Sequence, residues 1–162
     1  FLNQEGMPAG VASVALAATR VMLPPALDSI RKSLVSDRVL FAPGQSVVSG
    51  RGRAGILAAA ALFRTLDDSV TASSGVVTLT LNGRTDPTGS NETNRALAQW
   101  RDDHVAAIFA AAGVRTQRMR SEALATSRPL TAPDSVEQAR INRSVSFEIE
   151  VLARPRVSPE QR

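Results

Sequence analysis

The sequence contains no cysteine, which excludes disulfide scaffolds, thiolate zinc sites, iron–sulfur clusters and cysteine nucleophiles. Histidine occurs once, as His104, so neither a multi-histidine metal site nor a histidine pair sharing acid–base work can be assembled. Lysine is almost as scarce: Lys32 is one of 19 basic residues, and all the others are arginine. Tyrosine is absent and aromatics make up 4%, too few for the aromatic-interleaved basic surface that binds nucleic acid. Long apolar runs are also missing. VASVALAAT (11–19) stops at Arg20, far short of the roughly 20 residues of a membrane helix, and lacks the basic start of a secretory signal. The chain starts at Phe1 rather than Met, which leaves room for a signal, lipid anchor or membrane helix upstream.

What is present describes one globular domain. The 162 residues are 43% hydrophobic and 21% charged, a balance that buries a core without metal or disulfide support. The net charge of +4 fits an anionic partner and fits an arginine-favouring genome equally well. Residues 1–23 read as an extension or the tail of a preceding region, 24–152 as the domain, and 153–162 as a polar tail.

Within the domain, Leu27, Ile30 and Leu34 follow a Pro-Pro start at helical spacing, which predicts a helix over 24–35. A short strand is expected at 39–41, ending in the Pro43-Gly44 turn. The Ala-rich stretch 53–68 predicts a second helix, followed by a polar loop over 69–75. Val77, Leu79 and Leu81 alternate with Thr78 and Thr80 as a strand, and GRTDPTGS after it is a loop. Ser90 is an N-cap for a long helix that Gly113 ends. A strand at 116–125, a short helix at 134–141 and a last strand at 145–152 complete the reading. Strands alternating with helices predict an α+β fold, a two-layer α/β sandwich of βαβαβ type whose small mixed sheet has helices packed on one face.

The long helix carries the residues that fit a core least well. Leu97, Val105, Ile108 and Ala112 fall in one sector that faces the sheet, and Arg101 projects into its middle, with Asn94 and His104 close by. A buried guanidinium needs a partner. Arg101 either snorkels or pairs internally, or it lines a pocket and receives an external carboxylate, which its planar fork suits. Asp86, in the loop feeding the same helix, either caps an Asx-turn or supplies the pocket's negative charge. One carboxylate and one guanidinium flanked by Thr85 and Asn94 would hold a zwitterion such as an amino acid. Catalysis has little to stand on. His104 reads as a packed core histidine, while Asp102-Asp103 and Asp67-Asp68 read as solvated surface. GRGRAG (50–55) is not a phosphate-binding loop, and Trp100 lies off the core stripe, as a rim contact or a partly buried anchor.

Residues 83–105 resemble the signature of the OmpA-like C-terminal domain, the peptidoglycan-binding module of OmpA, peptidoglycan-associated lipoproteins and flagellar-stator B subunits such as MotB. Gly83, Thr85, Asp86, Gly89, Asn94, Leu97, Arg101 and Val105 fall in register with it. The likeness continues through Gly113-Val114, Arg128-Pro129 and Asn142-Arg143, and upstream in VLFAPGQS (39–46), so that it covers about residues 25–152. Arg84 stands where the family often has His, Ser144 where it has a second Arg, and Ala123-Leu124-Ala125 where a Gly-x-Gly is common.

The resemblance implies non-catalytic binding of peptidoglycan in the periplasm, through the diaminopimelate of the stem peptide, to anchor an envelope protein or assembly to the wall. Asp86 and Arg101 would hold the amino and carboxyl groups, with Asn94, Thr85 and Arg143 lining the same pocket. No metal and no cofactor are expected, and nucleic acid is not an expected partner. The losses at Ser144, Ala123 and Ala125 motivate a rival expectation: a structural or oligomerisation domain of an envelope complex whose pocket has weakened.

Overall fold

The computed structural model of the protein describes residues 19–154, apart from residue 133. The elements run α1 (Pro25–Ser36), β1 (Arg38–Leu40), α2 (Gly50–Ala72), β2 (Gly75–Arg84), α3 (Asn91–Ala111), a 3-10 turn (Thr116–Arg118), β3 (Met119–Ala125), α4 (Val136–Asn142) and β4 (Ser144–Ala153). The four strands form one mixed sheet in the order β1-β4-β2-β3, with β2 and β3 parallel and the other pairs antiparallel. Helix α1 packs on β4, α2 on β2, and α3 on β2 and β3. This is the expected two-layer α+β sandwich.

Strand alternation decides which face the helices cover. Val77, Leu79 and Leu81 are fully buried while Thr78 and Thr80 between them are half-buried, and Val145, Phe147, Ile149 and Val151 of β4 are buried against exposed Glu148 and Glu150. Against that face lie Ile56, Phe63 and Leu66 of α2 and Val105 and Phe109 of α3. Phe109 meets Phe147 edge-on, with ring centroids 5.3 Å apart. Each such side chain contributes on the order of 1.5–3 kcal/mol by leaving water.

Most boundaries match expectation within two residues; both ends of α2, which starts at Gly50 rather than Arg53, and the start of β3 differ. Helix α2 extends to Ala72, through the stretch expected to be loop, because Asp67 and Val70 are buried on it and outweigh the poor helix propensity of Ser69 and Thr71. Residues 116–118, expected as strand, form a 3-10 turn from which Arg118 reaches Asp67 with Nε 3.1 Å from Oδ1. The expected extension and tail fall mostly on residues 1–18 and 155–162, outside the described residues. Of the rest, Thr19 and Val21 hydrogen-bond to Ala153 and Val151 along the outer edge of β4.

At Gly83, β2 comes so close to α3 that a Cβ there would lie 2.5 Å from the Ala98 carbonyl oxygen and 2.8 Å from Asp102 Oδ1. The register between β2 and β3 shifts between Gly83 and Arg84, bending the end of β2 toward the loop that follows.

Candidate functional site

The bent end of β2, the start of α3 and the β1–α2 loop enclose a cavity of about 180 Å³. Thr85, Asp86, Asn94, Arg101 and Arg143 all line it, with Leu97 and Pro43 adding apolar wall. All five residues singled out in the sequence thus come together in space.

Ser90 starts α3 by accepting the Thr93 amide at 3.1 Å, and this sets the phase that turns Asn94 and Arg101 inward. Arg101 is fully buried. Its Nε donates to the Gln45 carbonyl at 2.9 Å, Nη1 to Arg84 at 2.8 Å and Nη2 to Ala42 at 3.4 Å, and its Cζ lies 4.9 Å from the centre of the Phe41 ring. Burial pushes its pKa down to about 10, with Asp86 pulling it up and Arg143 pushing it further down, so it stays cationic at neutral pH. Of the readings open for Arg101, lining a pocket fits, and snorkelling or pairing with an internal carboxylate does not. Carbonyls rather than a carboxylate satisfy its donors.

Asp86 is the companion of Arg143 instead. Arg143 donates from Nη1 to Asp86 Oδ2 at 3.1 Å and from Nε to the Phe41 carbonyl at 3.3 Å. Asp86 Oδ1 also accepts the Thr88 amide at 3.1 Å, so the Asx-turn and the pocket wall are the same residue. Burial raises the Asp86 pKa, but hydrogen bonds from Thr88 and the Arg143 guanidinium outweigh it and hold the carboxyl below its ordinary value. The Thr85 hydroxyl is buried without a hydrogen-bond partner among the described residues. With two guanidiniums against one carboxylate, the wall keeps one positive charge unneutralised.

Several neighbours differ from their sequence reading. Asp102 is fully buried rather than solvated, because the buried line of α3 runs through Asn94, Ala98, Arg101, Asp102, Val105 and Phe109, rotated from the expected sector. Neither Asp102 oxygen has a hydrogen-bond partner among the described residues. Burial raises its pKa to about 8, which favours the protonated carboxyl in the folded chain. Asp67 is also buried, paired with Arg115 and Arg118, whereas Asp68 is exposed as expected. His104 is exposed, with Nδ1 2.7 Å from the Ser46 carbonyl oxygen, since the β1–α2 loop comes only that far over α3. Trp100 is 58% exposed.

Sequence reasoning passed over two residues that shape the site's surroundings. Arg84 is buried and donates to the Arg128 carbonyl at 2.6 Å and to Ser146 Oγ at 2.6 Å, joining three segments behind the cavity. Asn142 accepts the Leu130 and Thr131 amides and donates to the Thr131 carbonyl, clamping the loop before α4. Its place beside Arg143 in the motif was the available signal.

The architecture is matched in solved structures. The chain is similar to the peptidoglycan-associated lipoprotein from Burkholderia pseudomallei, at 21% identity and a TM-score of 0.59 over 69% of this chain and 88% of that one. It is similar to the periplasmic domain of Helicobacter pylori MotB, at 19% identity and a TM-score of 0.56 over 73% of each chain. It is similar to the OmpA-like domain of FopA1 from Francisella tularensis, at 17% identity and a TM-score of 0.51 over 71% of each chain. No protein-family model matches the sequence, and no curated protein does. The class is an α+β two-layer sandwich; within it, this is the OmpA-like fold. No helix among the described residues is long and apolar enough to cross a membrane.

Proposed function

We propose that this domain binds peptidoglycan without covalent chemistry, gripping the diaminopimelate of the stem peptide in the cavity between β2, α3 and the β1–α2 loop. The observation that carries this reading is the convergence of Thr85, Asp86, Asn94, Arg101 and Arg143 on one cavity of about 180 Å³. That volume suits an amino-acid head group rather than a whole ligand. A ligand carboxylate would be drawn to the unneutralised guanidinium charge, and a ligand ammonium to Asp86 and the Thr85 hydroxyl. The relatives in structure include one named as peptidoglycan-associated and one named as a periplasmic domain, which supports an envelope role. Binding of this kind tethers an assembly to the wall in the periplasm.

Co-sedimentation with diaminopimelate-type sacculi tests the reading. Wild type should pellet, and Asp86→Asn should lose about 2 kcal/mol or more of binding, roughly thirtyfold, by removing a desolvated charge. Equal sedimentation of the two proteins sinks it. One observation favours the rival, a structural or oligomerisation domain with a weakened pocket: Asp86 is already paired with Arg143, and the Arg101 donors are directed at carbonyls. Self-association in ultracentrifugation, with no thermal shift on adding wall fragments, is the result that would favour it.

A further inference from the structure

A second and larger cavity, of about 760 Å³, lies on the other side of Pro43 and Arg143, which form walls of both. It follows β1 from end to end and is closed on its far side by the start of α2. Three further guanidiniums line it: Arg38 on β1, Arg51 on α2 and Arg140 on α4. Arg140 is paired with Glu137, but Arg38 and Arg51 have no carboxylate partner among the described residues. Asp37 is the one acidic residue in the lining.

The edge of the sheet runs along this groove. β1 pairs with β4 alone, and the Phe41 amide donates to the Arg143 carbonyl at 2.9 Å. Antiparallel alternation then directs the amide and carbonyl of Val39 toward β4 and those of Leu40 away from it, along the groove. An edge with outward backbone groups and flanking cations accepts an extended chain bearing negative charge.

We propose that the groove along β1 takes the anionic peptide arm that continues out of the small cavity, with Arg38 and Arg51 meeting its carboxylates and the Leu40 backbone its amides. This rests on the preceding reading: with a head group in the small cavity, the groove beyond Pro43 and Arg143, which line both, is the neighbouring space for the rest of the ligand. The groove then makes the domain a reader of an extended acidic peptide rather than of an isolated amino acid.

Titration calorimetry with two probes separates the two claims. Free diaminopimelate probes the small cavity, and muramyl tripeptide, whose glutamyl carboxylate lies outside the diaminopimelate, probes both. Wild type should bind the tripeptide more tightly than free diaminopimelate. Arg38→Glu/Arg51→Glu, both exposed positions, should weaken the tripeptide about tenfold or more and leave diaminopimelate within twofold. Amidating the glutamyl carboxylate should reproduce the loss on wild type, and added salt should shrink the gap between the probes. The groove is overturned if the variant binds the tripeptide as wild type does, or weakens both probes equally. Binding of neither probe to wild type overturns the preceding reading, and the groove with it.

Discussion

Beyond the C-terminal end of α3, Asp67 is buried between Arg115 and Arg118, with Thr71 Oγ1 3.3 Å from Asp67 Oδ1. At the middle of the same helix, Arg101 is buried with only carbonyl oxygens and a ring around it, beside the Asp86–Arg143 pair. The first cluster holds its carboxylate between two cations on partly exposed stems, and it ties α2 to the turn before β3. The second sits over a cavity and leaves a guanidinium satisfied by dipoles, with no counter-charge in contact. Carbonyls meet the hydrogen-bonding needs of a cation without cancelling its charge. The carboxylate of Asp67 neutralises the charge it meets, whereas the carbonyls around Arg101 leave its charge standing at the cavity wall.

The largest expected effect is at Arg101. Arg101→Ala leaves three carbonyls and a ring facing a void, and should cost about 3–5 kcal/mol of stability as well as sacculus binding. If urea unfolding shows wild-type stability, the carbonyl cage is not what holds the β1–α2 loop. Asp67→Asn should break the other cluster alone. About 2–3 kcal/mol of stability should go, at the low end of a buried pair because Arg115 is half exposed, with sedimentation on sacculi unchanged. A parallel loss of binding would mean that the two clusters are coupled.

Asp102 sharpens the contrast, because it is a buried charge site with neither solution applied. The folded chain keeps a proton there that the unfolded chain loses above its ordinary pKa near 4. Folding stability should therefore fall as pH rises from about 4 to about 8, by on the order of 1 kcal/mol per unit at most, and level off above that. Asp102→Asn should flatten this slope and gain about 2 kcal/mol at pH 8, read from denaturation midpoints across pH; a variant with the wild-type slope would place the titration elsewhere. The smallest effect is expected at Ala125, whose φ of 50° lies in the left-handed region. Ala125→Gly should stabilise by about 1 kcal/mol, detectable as a raised Tm with binding unaltered.

The fold was readable because its signals are local. Alternation in Val77–Leu81 and the caps at Ser90 and Gly113 each depend on a few neighbouring residues. Which residues share the cavity was readable: motif spacing put Thr85, Asp86, Asn94 and Arg101 in one register, and the resemblance added Arg143. Who pairs with whom was not. Arg143 lies 57 positions from Asp86, and two of the three carbonyls around Arg101 come from a loop 56–59 positions away, whose path no side-chain pattern reports. The burial of Asp102 was hidden for a related reason: helical angle alone placed the core line too far toward Leu97. The contact that rotates it comes from Gly83, across the layer.

That glycine has a consequence for how the site can vary. One added methyl group at position 83 would collide with backbone, which cannot swing aside as a side-chain tip would. It would act as a shim between the layers, lifting α3 off β2 and carrying Arg101 away from Thr85 and Asp86 as one rigid piece. The aperture of the cavity is in this sense gauged by hydrogen. Ligand preference could then be retuned at the walls, by exchanging Leu97 or Thr88, while the spacing between the walls has no comparable freedom to drift.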